Sequence, residues 1–221
     1  MLNEELKGRI EKLFTPMLAD ALCRLGLSEV SCGDEIRPLI PFSRMIGTAV
    51  TLKIRPRATG EKAEMPHYRA ALNTGDRVFS PILAIEVAPQ LHGRGVFGSG
   101  AATFARTRSF AGAVVHGSVR DSHDLKAMDF PVYSRGLSPL YLVPHAVSEF
   151  CNQPIRIGSA TILPGDILCA DNDGVLVLQA GSLEAVVTRA EEIEHWESRV
   201  FSAISTGVSY EQAVAAAGEM P

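Results

Sequence analysis

The chain has 221 residues, 46% of them apolar and 21% charged, and a formal net charge of −4. That length is enough to bury a substantial core unaided, and charges interrupt every apolar run before the roughly 20 residues a membrane-spanning helix needs. There is no basic run, which argues against a nucleic-acid surface, because phosphate binding needs clustered Lys and Arg.

The opening Met1-Leu-Asn-Glu-Glu-Leu-Lys has neither the basic nor the apolar region of a secretory signal, so a cytoplasmic protein is expected. Cys23, Cys32, Cys151 and Cys169 are scattered without Cys-x-x-Cys spacing, the pattern of reduced thiols rather than of a disulfide frame or zinc site. Residues 3–13 have helical spacing at Leu6, Ile10 and Leu13. Thr15-Pro16 reads as an N-cap followed by proline at the first helical position, opening a helix that runs through Leu25 and ends at Gly26. Asp20 in that helix is either an active-site acid or an exposed residue. A strand is expected over Ile46–Ile54, a short helix over Met65–Leu72 and a buried strand over Val78–Val87.

Gly93-Arg-Gly95-Val-Phe-Gly98 matches the dinucleotide fingerprint Gly-x-Gly-x-x-Gly. However, Pro89-Gln-Leu-His separates it from the preceding strand, and no acid ends the next one, so a nucleotide site is discounted. Gly98-Ser99-Gly100 opens an Ala-rich helix over Ala101–Arg108, and backbone N–H groups at such a helix start suit a ligand carboxylate. The β-branched run Ala113–Val115 leads to a Gly117-Ser118 turn, then to Arg120-Asp121 before a helix over Ser122–Met128. These are β/α units, and open α/β sheets place ligands at the carboxyl ends of strands. An adjacent Arg and Asp offer an anion clamp and a hard-cation ligand. Alternatively, Asp121 caps the helix and Arg120 makes a surface ion pair.

Further on, strands are expected over Arg156–Ile162 and Asp166–Ala170, with an Asp171-Asn-Asp-Gly174 turn into Val175–Leu178. Asp166, Asp171 and Asp173 lack the spacing of a calcium loop, and turn chemistry explains them. An amphipathic helix follows from Ser182 to about Ile204, with Val186, Ala190, Ile193, Trp196, Val200 and Ile204 on one stripe facing the core or a neighbouring subunit. The six histidines form no His-x-x-x-His pair, which argues against zinc.

Taken in order, Ser43-Arg-Met-Ile-Gly-Thr-Ala-Val-Thr51, Gly75-Asp-Arg-Val78, Gly112-Ala-Val-Val, Gly117-Ser-Val-Arg-Asp121, Phe130-Pro-Val, Arg135-Gly and Pro164-Gly-Asp-Ile-Leu-Cys-Ala-Asp-Asn-Asp-Gly174 resemble the family of the regulator of ribonuclease activity A. That family also holds class II, metal-dependent 4-hydroxy-4-methyl-2-oxoglutarate / 4-carboxy-4-hydroxy-2-oxoadipate aldolases. The resemblance implies one domain over residues 1–221: an α/β/β sandwich of the swivelling-domain type with a C-terminal helical arm at about 182–218. It also implies homotrimers or homohexamers with active sites between subunits. In these aldolases an acid, twenty residues and then Arg-Asp form the site. By resemblance, Asp121 would bind Mg²⁺ (or Mn²⁺) and Arg120 would clamp a small 2-oxo acid. The N–H groups of Gly98, Ser99, Gly100 and Ala101 would hold its carboxylate, and Glu197 of a neighbouring subunit would reach the metal's water shell. Two positions depart from the pattern: Ser99 stands where the acid is expected, and His116 where an Asp precedes Gly117, leaving His116 as a substitute base or a packed strand-end residue. The implied function is a metal-dependent lyase of 2-oxo acids, an aldolase or oxaloacetate decarboxylase. The rival is a non-catalytic regulator that binds a ribonuclease.

Overall fold

The computed structural model describes residues 1–221. The first half of the chain forms α1 (Glu4–Ile10), α2 (Thr15–Arg24), β1 (Arg37–Pro38), β2 (Met45–Pro56), α3 (Pro66–Asn73), β3 (Pro81–Val87), β4 (Gly95–Phe97) and α4 (Ser99–Thr107). The second half forms β5 (Gly112–Val119), α5 (Ser122–Ala127), β6 (Val132–Leu137), β7 (Ala146–Cys151), β8 (Ile155–Ile157) and β9 (Ala160–Ile162). It ends with β10 (Ile167–Asp171), β11 (Gly174–Leu178), α6 (Leu183–Ser205) and α7 (Tyr210–Ala217).

Four neighbouring strands, in the order β6-β5-β3-β2, run parallel, with β4 alongside the end of β5. β10 pairs antiparallel with the first part of β2 and β7 with its second part, so this long strand serves two partners in succession. Alternation of side chains divides the core. Val50, Leu52 and Ile54 on β2, Leu83 and Ile85 on β3, and Val115 on β5 face one way and share a cluster with Ala102 and Ala105 of α4 and Leu125 of α5. The alternate residues Ile82, Ala84, Val114 and Tyr133 face the other way, toward the β8–β9 hairpin and Leu168, Ala170, Val175 and Val177. The opposite face of β10–β11 packs Ile167, Cys169, Leu176 and Leu178 against α1, α2 and α6. The expected α/β/β sandwich is therefore present, with an outer helical layer. Its buried aliphatics are the main source of stability, each Leu or Ile to Ala change costing about 2–5 kcal/mol.

The C-terminal arm is two helices rather than one. Gly207, at φ +92°, turns the chain, and Ser209 and Gln212 form a capping box that starts α7. α7 folds back so that Trp196 and Val200 bury against Ala213, and Trp196 Nε1 donates to Gly218 O at 2.8 Å. Trp196 is therefore covered by its own chain. No helix is long and apolar enough to cross a membrane.

Several local expectations change. Phe14, not Thr15, is the N-cap of α2; the Thr15 N–H and hydroxyl both donate to the buried Asp171 carboxylate, each at 2.7 Å, so an acid from β10 caps this helix. The strand expected from Val78 begins at Pro81, because Gly75–Arg77 forms a 3₁₀ turn and Ser80 lies at φ +47°. Arg156–Ile162 is a hairpin bent at Gly158, whose φ is +57°, rather than one strand. Gly117-Ser118 is not a turn: β5 continues to Val119 through a register shift, and both Ser118 N and Oγ donate to His92 O.

Candidate active site

β4 and β5 run side by side, so the residues just past their ends, Gly98 and Arg120, are neighbours, and Arg120 N donates to Phe97 O at 2.9 Å. Each strand feeds a helix, α4 from Ser99 and α5 from Ser122. Asp121 precedes α5 in the left-handed conformation, φ +56°, which Asp tolerates better than most residues. Its carboxylate makes no capping bond to α5. Instead Oδ2 accepts from Ser99 N at 3.1 Å and Ser99 Oγ at 3.2 Å, and Oδ1 accepts from Arg120 Nε at 3.1 Å. The acid thus caps α4, where the helix dipole favours its charge. Of the first-turn N–H groups of α4, Ser99's is taken by Asp121, while those of Gly100 and Ala101 have no intrahelical acceptor to use.

Two glycines of the discounted nucleotide fingerprint have their use here. A Cβ on Gly98 would sit 2.5 Å from Asp121 Oδ2 and 2.8 Å from Arg120 Cγ, and one on Gly95 would sit 2.8 Å from Arg120 Cβ. Gly93, the third, has nothing within 4 Å of such an atom. The motif therefore marks a close approach between β4 and the Arg-Asp pair. Beside the pair lies a cavity of about 430 Å³ lined by Gly98, Gly100, Ala101, Arg120 and Asp121 on one side and by Met65, Tyr68, Tyr141 and Val143 on the other. Arg120 lies over the Tyr141 ring, 5.9 Å from its centroid. Met65, Tyr68 and Tyr141 carry no motif in the sequence; only the fold brings them here.

Burial opposes the charge on Asp121, but the Arg120 guanidinium and the Ser99 N–H and hydroxyl outweigh it and hold the carboxyl below its ordinary value. A partly exposed, hard, anionic oxygen pair facing a cavity suits a divalent cation that keeps most of its waters, which is how Mg²⁺ binds. No group of three His, Cys, Asp or Glu side chains surrounds it, so such a cation would take its other ligands from water, substrate or another subunit.

The structure brings Ser99, Arg120 and Asp121 together, with Gly98, Gly100 and Ala101 around them. His116 does not join them. Its ring leaves β5 on the face opposite α4 and α5, 3.4 Å from Glu35 Oε1 and 4.9 Å, ring to ring, from His92. That distance makes an ion pair with Glu35 when His116 is protonated, but the angles leave Nε2 without a hydrogen bond. Burial, then the neighbouring His92, pulls its pKa down despite Glu35. Glu197 lies on α6, in the outer helical layer, and lines neither cavity beside Asp121. Asp20 sits on the exposed side of α2.

A family model described as RraA-like, Aldolase/RraA, matches residues 15–177, well over half of the chain. The chain belongs to the RraA-like family. Among its RraA-like relatives, Protein DlpA of Legionella pneumophila is 32% identical over 92% of this chain, and the chain spans 34% of that protein's length. A putative 4-hydroxy-4-methyl-2-oxoglutarate aldolase of Halalkalibacterium halodurans is 28% identical over 88% of this chain and 86% of its own. Among solved structures, an uncharacterized protein from Pseudomonas syringae has a TM-score of 0.81 and 27% identity, covering 96% of this chain and 98% of its own. The RraA-like match ends before α6, so the helical arm lies outside the family model.

Proposed function

We propose that this chain is a divalent-metal-dependent lyase that breaks a carbon–carbon bond beside a 2-oxo acid. The observation that carries the reading is the meeting of Arg120, Asp121 and the start of α4 at one cavity. The free N–H groups of Gly100 and Ala101 receive the substrate carboxylate. Arg120 holds the 2-oxo oxygen and meets the negative charge that gathers there as the bond breaks. A Mg²⁺ or Mn²⁺ ion held by Asp121 would add Lewis-acid polarisation of that oxygen. Glu197 of a neighbouring subunit would reach the ion's water shell, which makes a homotrimer or homohexamer part of the proposal.

Aldol cleavage also removes a proton from the substrate hydroxyl, and a positioned base is typically worth about 10²–10⁴-fold. Ser99 is neutral and spends its hydroxyl proton on Asp121. Decarboxylation of oxaloacetate needs no such base. With saturating Mg²⁺, pyruvate release from oxaloacetate is expected to outpace cleavage of 4-hydroxy-4-methyl-2-oxoglutarate, with Ser99→Asp raising cleavage more than decarboxylation. Asp121→Ala should abolish both; full activity in that variant would remove the assignment. The second reading, a non-catalytic binder of a ribonuclease, draws on Ser99 standing in place of the acid. Inhibition of a ribonuclease by protein that shows no turnover with metal would select it.

A further inference from the structure

A separate cavity of about 500 Å³ shares no wall residue with the two beside Arg120 and Asp121. Its volume is in the range of small-molecule sites. The end of α2, the β9 strand with the turn after it, and the segment from β11 into α6 enclose it, and Asp166 is the only charged residue in its wall.

Asp166 is only 7% exposed. Its Oδ2 accepts from Leu163 N at 2.7 Å, which closes the turn through Pro164 and Gly165, the latter at φ +93°. That turn explains one carboxylate oxygen and leaves the other. Oδ1 has no donor from the chain and is not sealed from solvent. Burial pushes the Asp166 pKa up, and the Leu163 N–H is the one group that opposes it. A buried carboxylate with no cation beside it is costly, and a bound cation relieves that cost.

The rest of the wall favours the same sign of charge. Leu22, Gly26 and Leu27 bring the carboxyl end of α2, where the helix dipole attracts a cation. Ser28, Thr161 and Gln179 add hydroxyl and amide oxygens that accept from N–H donors. Ser182 heads α6, the one helix start here that would draw an anion, but its N–H and hydroxyl both donate to Gln179 O, at 3.2 and 3.3 Å. Arg156, paired with Thr161 across the β8–β9 hairpin, stays outside the wall.

We propose that this cavity is a binding site for a small primary amine, with its ammonium group on Asp166 and its apolar body along Leu27, Leu163 and Val177. An ammonium carries three N–H donors and a full charge, so one donor makes a charge-assisted bond to Oδ1 and the others meet the neighbouring hydroxyl and amide oxygens. A carboxylic acid of the same size would set like charge against Asp166, and an alcohol would bond to it without charge. The site binds and does no chemistry, and it stands or falls independently of the lyase reading.

The test uses butylammonium, butanol and butyrate, which share an apolar body and differ in the head group. Each is titrated into the full chain in its native assembly and followed by ligand-observed saturation-transfer NMR. Butylammonium is expected to saturate, and to bind about tenfold more tightly than either analogue. Asp166→Asn keeps an acceptor for the Leu163 N–H and should weaken butylammonium by about tenfold. Leu163→Lys sets an ammonium of the chain itself at the rim and should block the site; it serves if the first variant unfolds. Equal binding of the three compounds, saturation by none of them, or parent-like affinity in both variants overturns the proposal.

Discussion

Gly98→Ala tests whether the glycines before α4 exist for the Arg-Asp pair. Gly98 lies at φ −152°, where alanine is at ease, so the substitution acts by volume alone. Its Cβ would meet Asp121 Oδ2 at 2.5 Å, whereas ordinary contact begins at 3.4 Å, so the carboxylate must retreat by about 0.9 Å. That retreat breaks the bonds to Ser99 N and Oγ, which start at 3.1 and 3.2 Å. Overpacking costs about 1–3 kcal/mol, and a bond to a charged group about 1.5–3 kcal/mol, nearer the low figure for a carboxylate partly open to water. A net loss of about 3 kcal/mol would lower Tm by about 6–12 °C in a domain of this size. A catalytic group displaced by about 1 Å loses on the order of 10²-fold in rate. Thermal unfolding followed by circular dichroism, together with pyruvate release, reads both effects. Gly93→Ala is the control and should stay within about 0.5 kcal/mol of the parent, because its Cβ meets nothing. If Gly98→Ala melts and turns over like the parent, the close approach has no consequence and the reasoning fails.

Asp171→Ala leaves the Thr15 N–H and hydroxyl and the Asp173 N–H without their acceptor and should cost about 3 kcal/mol whatever the calcium concentration, measured by urea unfolding. Removing residues 206–221 strips α7 from the chain's single tryptophan, so Trp196 emission should move to longer wavelength; an unchanged spectrum would mean another surface covers it. His116 has its folded pKa lowered by burial, so the unfolded chain binds the proton more readily. Stability is then fully present above the unfolded value of about 6.5 and declines as pH falls from there toward the folded value. His116→Gln should flatten the Tm profile as pH falls below about 6.5, where an unaltered slope would assign it to other groups.

The parts of the fold that were legible in the sequence were those where one residue's surroundings follow from its neighbours in the chain. The amphipathic stripe from Val186 to Val200 places α6, and the β-branched run into Val115 places β5. Arg120, Asp121 and Ser99 were legible as a set only through the family resemblance; that they end adjacent strands is a property of the fold. What stayed hidden depends on tertiary pairing. The polar half of β5 reads as a turn at Gly117-Ser118, yet it stays extended because β4 and His92 supply hydrogen-bond partners from elsewhere in the chain. The Thr15-Pro16 signal is a sound local helix start, overridden by an acid from a distant strand. Met65, Tyr68 and Tyr141 form the cavity wall from three separate segments, and no spacing rule connects them.

Ser99 changes the electrostatics of the site as well as its supply of bases. An acid at this position would put two carboxylates about as close as the present hydroxyl contact of 3.2 Å. Like charges at that separation raise one pKa strongly, and either a shared proton or a cation relieves the repulsion. With serine, the hydroxyl and N–H of residue 99 both donate to Asp121 and the carboxyl stays ionised below its ordinary value with no cation needed to hold it so. The pull on a divalent ion then comes from one carboxylate rather than two, with Arg120 beside it opposing the ion. On the lyase reading proposed above, the substrate's own oxygens would complete the metal's coordination, so metal and 2-oxo acid would each strengthen the other's hold.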